Sequence, residues 1–211
     1  MAVFDIAYQY VLDDTGREDM QDIIKRRIQR AVLAMHRIDF WKKDFVEQVF
    51  IFQNEQAVQI INKGLFPRFR AIGYLRKYNA DAASISDPSI FDGAVGEFFG
   101  EMNPQQALDG YGYNRTNKMY ESGSTIKLMS SEAIRQVLIG WFIDPLLEPI
   151  EACDSWILTE YPGLIAAHAK RRIFKDIGKD QESRDAQLEY DDELLKLQAN
   201  NIRLAVLQMP G

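Results

Sequence analysis

The stretch from Trp156 to Ala205 constrains this chain more than any other, because signals that start and stop helices are spelled out within it. Pro162 suits the first turn of a helix, where the N–H it lacks would have no partner; in a helix interior it would cost about 3 kcal/mol. From there Ile165, Ala169, Ile173 and Ile177 recur on one helical face, with Ala166 and Phe174 beside them. Gly178 then offers the left-handed position that glycine takes cheaply, so the helix is predicted to stop there. Asp180 is placed to cap a second helix, on which Ala186, Tyr190, Leu194 and Leu197 form one narrow stripe. So short a connection makes the two helices antiparallel neighbours, an αα-hairpin.

The second helix carries a surplus. Leu188, Leu195 and Ile202 are spaced seven apart and, at 100° per residue, lie nearly opposite the first stripe. Two accounts stay open: a helix sandwiched between layers of its own domain, or a second seam made for a neighbouring subunit.

Charge narrows the partners. A formal net charge of −6 and a pI near 5.1 argue against affinity won by wrapping nucleic-acid phosphates, although not against DNA merely passing by. The longest apolar runs, such as VLIGWFI at 137–143, fall short of a membrane span, and no basic region with a small-residue cleavage site opens the chain. The expectation is a protein made in the cytoplasm with no membrane partner. Cys153 is the single cysteine and His36 and His168 the only histidines, so no internal disulfide and no structural-zinc spacing is expected.

Upstream, residues 1–14 read as an extended lead-in. Thr15 with Glu18 fits a capping box, predicting a helix to about His36 that buries Met20, Ile24, Ile28, Ala31, Met35 and Ile38. Its polar side holds Lys25, Arg26 and Arg30; Asp185, Glu189, Asp192 and Glu193 are candidate partners for them, within one subunit or between two. Residues 45–52 and 69–78 read as strands, with a helical turn between them at Gln56 to Asn62. Residues 79–116 have the Asp, Ser, Gly, Pro and Asn content of long loops with short inserts. A hairpin turning at Gly123 joins strands 118–120 and 125–129, and Gln136 to Ile143 reads as a strand buried on both faces. The predicted fold class is α+β: a helical bundle (1–44 and 145–205) ending in the αα-hairpin, a small antiparallel β domain (45–144) with its loop insertion at 79–116, and an extended tail at 200–211.

No catalytic constellation emerges. His168, among Ala166, Ala167 and Ala169, reads as a half-buried structural histidine, and Cys153 lacks any nucleophile signature around it. Glu189, Asp191, Asp192 and Glu193 lack both the histidine of a di-iron helix and calcium-loop spacing, so they read as a solvated face.

An ordered string of residues resembles the head-to-tail adaptors (connector, or tail tubular A-like proteins) of tailed bacteriophages. It runs from Tyr120, Gly123, Ile126 and Leu128, through Leu138, Ile139, Trp141, Phe142 and Pro145, to Trp156, Tyr161-Pro162 and the paired helices ending Leu194, Leu197, Asn200, Asn201 and Ile202. The likeness is weaker before residue 118. It implies a non-enzymatic virion protein without cofactor or metal, forming a usually twelvefold ring at the head–tail junction through which genomic DNA passes. It also implies that Asn200, Asn201, Ile202, Arg203, Leu204, Val206 and Leu207 reach the portal protein. Lys25, Arg26, Arg30, Leu188, Glu189, Asp192 and Leu195 would then form the subunit interface, and Phe91, Phe98, Phe99, Tyr111 and Tyr113 would face a nozzle or other tail protein. Other classes consistent with the residues are a tail-completion or terminator protein, and a small hydrolase using His168 or Cys153.

Overall fold

One strand organises half of this protein. In the computed structural model, which describes residues 3–78, 95–108, 116–149, 153 and 155–206 (side chains from Phe4 to Asn201, Val95 and Leu108 excepted), β6 runs unbroken from Thr125 to Ile143. Its near-continuous apolar end buries Val137, Leu138, Ile139 and Trp141, as the run 137–143 predicts. Along one edge β6 pairs antiparallel with β1 (Phe45–Asn62), from Phe45↔Phe142 to Asn62↔Thr125. Along its other edge lie β2 (Phe69–Tyr78) at the apolar end and β5 (Lys118–Ser122) across the Gly123 turn. β3 (Val95–Phe98) extends the sheet beyond β2, and β4 (Gly100–Glu101) runs parallel to β5.

This sheet corrects the predicted fold class. Half of the described residues are helical and 34% are strand, and the six strands form a nearly closed, barrel-like mixed sheet. A helical bundle with a small antiparallel β domain is therefore not what the chain forms. Two misread segments explain the difference. Gln56 to Asn62 is not a helical turn but the second half of β1, and 130–135 is not a break but the middle of β6. Between Ile51 and Val58 the pairing shifts register, and residues 53–58 are all exposed, so no apolar alternation marks them as strand. The described part of the 79–116 stretch holds β3, β4 and the short helix α3 (Pro104–Leu108), the short inserts expected among its loops. Ile61, Leu75, Ile126, Leu128, Ile139 and Trp141 fill the core of this unit, which comprises residues 45–143.

The other unit comprises residues 1–44 and 144–211. Residues Val3–Thr15 are helical (α1) rather than extended, because Phe4, Ala7 and Val11 fall on one face and are buried. Thr15 closes that helix instead of opening the next: its hydroxyl donates to the Val11 carbonyl at 2.7 Å, and Gly16 follows in the left-handed region at φ +60. α2 (Gln21–Arg37) starts after a single 3-10 turn with no side-chain cap, and buries Ile24, Ile28, Ala31, Val32 and Met35. Ile38, assigned to the buried face from sequence, is exposed beyond the helix end. A short helix, α4 (Trp156–Glu160), leads into α5 (Pro162–Asp176), which has Pro162 in its first turn and is followed by Gly178 at φ +75. α6 (Asp180–Val206) turns back along α5, with Asp180 inside its first turn rather than as its cap. Ala186, Tyr190 and Leu197 are buried against the core that α5 shares with α1 and α2.

Candidate assembly surface

The inward stripe of α6 leaves the opposite face to solvent. Leu188 is 68% exposed and Leu195 63%, the two most exposed large apolar side chains described. Among the described residues no layer of the chain covers this seam, so the sandwiched helix is not what they form. At helical spacing Asp185, Asp191 and Asp192 flank these leucines, with Arg184 one turn before Leu188, so three carboxylates and one guanidinium border the apolar middle of the face.

α2 carries a face of opposite charge. Ile23, Arg26, Arg30 and Leu33 fall within one stripe, with Ile23, Arg26 and Arg30 exposed and Lys25 half-buried beside them. Among the described residues Lys25, Arg26 and Arg30 make no ion pair, with the acidic residues of α6 or with any other. Their neighbour Arg27 takes Asp176, and Glu189 is taken by Lys170. The within-subunit pairing considered from sequence is thus not made.

Between α1, α5 and α6 lies an open groove of about 350 Å³ lined by Asp13, Asp14, Lys170, Glu189, Asp192 and Glu193 among others. Lys170 is 8% exposed, and its ammonium donates to Asp14 at 2.6 Å and Glu189 at 2.7 Å. Burial alone would pull its pKa down; the hydrogen bonds it donates to the two carboxylates outweigh this and hold it above the usual lysine value. Five carboxylates against one ammonium leave the groove acidic. Among the described residues no three carboxylate, histidine or cysteine side chains are placed to share a metal ion.

A second polar cluster was not legible in the sequence. Asp44 Oδ2 lies 2.6 Å from His36 Nδ1, and His36 Nε2 lies 2.8 Å from Ser155 Oγ. The Trp156 indole donates to the other Asp44 oxygen at 2.7 Å. An acid, an imidazole and a hydroxyl in a row are the parts of a nucleophilic triad. Here all three residues are buried, at 2–6% exposure, and Ser155 Oγ also accepts the Leu158 N–H as the cap of α4. The row ties the end of α2 to the turn at Asp44 and the start of α4. Two local signals mark its members singly, though not their meeting: a serine directly before Trp156-Ile157-Leu158, and a histidine closing the apolar face of α2.

The other predicted site residues divide as follows. Asn200 and Asn201 lie on α6, with Asn200 donating to the Tyr161 hydroxyl at 2.7 Å. Ile202, Arg203, Leu204 and Val206 continue the α6 backbone, so 200–206 is helix rather than extended tail; their side chains, and Leu207, lie outside the described residues. Phe98 is 56% exposed, with the Arg76 guanidinium 4.0 Å from its ring centre, whereas Phe99 is buried in the sheet core. Phe91, Tyr111 and Tyr113 lie outside the described residues. His168 is half-buried against Tyr190, and Cys153 is half-buried against the helical core. No protein-family model matches this sequence, and no curated protein sequence matches it.

Proposed function

We propose that this chain is a structural subunit of the head-to-tail adaptor ring of a tailed bacteriophage, joining portal to tail around the DNA channel. The observation that carries the reading is the outer face of α6: Leu188 and Leu195 stand in solvent, flanked by carboxylates, on a helix whose other face already fills its own core. The cationic stripe of α2 supplies a second surface of complementary charge that does not meet the first within one chain. Two different, complementary surfaces join copies head to tail, and such contacts generate a closed ring when the rotation closes. The acidic groove beside Lys170 offers Arg26 or Arg30 of the next copy a destination. The dodecamer and the portal contact through 200–207 follow from the family resemblance; the tail contact is assigned to the 79–116 stretch containing Phe98, an insertion by which the chain departs from the shortest adaptors. A net acidic chain suits a channel through which DNA slides unbound.

The test is assembly. Light scattering and electron microscopy of the wild-type chain with its portal are expected to show rings. Leu195→Glu is expected to give a monomer with wild-type helical circular dichroism, because the position is solvent-exposed in the single chain. A wild-type chain that stays monomeric at high concentration with portal present would sink the proposal. Attachment to the far end of the tail instead would favour a tail terminator.

A further inference from the structure

Where α5 ends and α6 begins, Arg171, Arg172 and Lys175 face Arg184, Ser183 and Gln187 across an open groove of about 350 Å³. None of its four cations has an ion-pair partner among the described residues. The acids nearest in sequence are engaged elsewhere: Asp176 with Arg27, Glu182 3.7 Å from Lys179, and Asp185 accepting from Gln181. Asp180 sits in the first turn of α6. In a chain of net charge −6, this concentration of uncompensated positive charge runs against the overall field. The dipole of α5 favours cations in its last turn and accounts for Lys175, but not for Arg171 and Arg172 further back, and it gives Arg184, at the opposite pole of α6, nothing.

The walls are held in advance of any ligand. The Arg171 guanidinium donates to Gln187 Oε1 and lies 5.1 Å from the centre of the Tyr190 ring, and the Arg171 carbonyl accepts the Ser183 hydroxyl at 3.1 Å. Arg172, Lys175 and Arg184 project exposed around this fixed edge. No apolar side chain lines the groove, so it holds no anchor for the hydrophobic residues of a peptide. Guanidinium forks match the oxygens of a phosphoryl group in pairs. We infer that this groove binds phosphoryl groups, supplied either by a nucleic-acid backbone or by a free polyphosphate.

His168 provides an internal reporter. Its Nδ1 is buried without a hydrogen-bond partner, and its pKa is pushed down to about 4, first by burial and then by Arg171, Arg172 and Arg27. A bound anion that offsets Arg171 and Arg172 relieves part of that push, so the imidazole titrates at higher pH.

The experiment titrates the full chain with tripolyphosphate, following heat and the His168 resonance. Saturable binding, an upward move of the His168 titration, and affinity at least about tenfold weaker in Arg172→Ser/Arg184→Ser are expected. Lys42→Ser/Arg135→Ser, which removes the same charge from exposed positions elsewhere, is expected to bind as the wild type does. A short single-stranded oligonucleotide that displaces tripolyphosphate identifies the nucleic-acid backbone as the source; failure to displace it identifies free polyphosphate. Absence of saturation, equal weakening in both double variants, or equally effective displacement by a polyglutamate peptide overturns the inference.

Discussion

Lys170 and His168 sit two residues apart on α5 and meet burial in opposite ways. Lys170 keeps its charge because Asp14 and Glu189, both half exposed themselves, reach in to it. Burial keeps His168 neutral, and the guanidinium groups of Arg171, Arg172 and Arg27 add to it. The folded chain therefore takes up this proton only near pH 4, whereas an unfolded imidazole takes it near 6.5. Between those values the unfolded state binds the extra proton, so stability falls as pH drops below about 6.5, and above it the penalty is absent. Allowing for the partial exposure of the ring, wild type is expected to lose about 1 kcal/mol more than His168→Gln between pH 7 and pH 5 in urea titrations. Equal losses would show that the imidazole is charged in the folded chain. The Asp44, His36 and Ser155 row belongs to the same scale. Its members are separated by 8 and 119 residues in the chain, so no local spacing could have assembled them.

At the scale of elements, what was legible follows from where the information sits. Pro162 and Gly178 mark the ends of α5 correctly because each acts on its own backbone, one through a fixed φ and a missing N–H, the other through tolerance of φ +75. Thr15 misled because a hydroxyl bonds equally well backwards to a carbonyl of the preceding turn as forwards to an N–H, and here it closes α1. The long strands were illegible where they cross open solvent: Ser131, Glu132 and Ala133 of β6 are exposed, and they lie between the paired residues Met129 and Ile134, where the register with β1 shifts. The exposed apolar face of α6 was legible as a surplus of apolar spacing, because a helix needs only one buried face. The sheet also has a packing constraint that periodicity does not reveal. The Phe45 ring lies against Gly73 and Gly140, with Tyr74 and Phe142 at ring-centre distances of 5.7 and 5.0 Å, and a Cβ at Gly140 would overlap it. Gly140→Ala is expected to cost about 1 to 3 kcal/mol in urea unfolding. The same substitution in a Phe45→Leu background is expected to cost measurably less; additive losses would mean that the ring is not what the methyl group meets.

At the scale of the whole molecule, the residues that open and close the sheet unit are strand partners. Phe45 pairs with Phe142, so the chain leaves and re-enters the helical unit through points about 5 Å apart. Residues 46–142 are thus connected as an insertion that a short Gly-Ser linker can replace, and the shortened chain is expected to keep its helical circular dichroism and a cooperative thermal transition. A non-cooperative melt would show that the helices need the sheet in order to pack. The same connection sets an order of events at the ribosome. The sheet unit is continuous in the chain and is complete once Ile143 has emerged, but α1 and α2 bury their apolar faces against α5, which starts only at Pro162. At translation rates of about 5 to 20 residues per second, α2 waits roughly 6 to 25 s for its packing partner. Throughout that interval Ile24, Ile28 and Met35 lack the cover that α5 gives them, making the first helices of each nascent chain a natural docking point for chaperones.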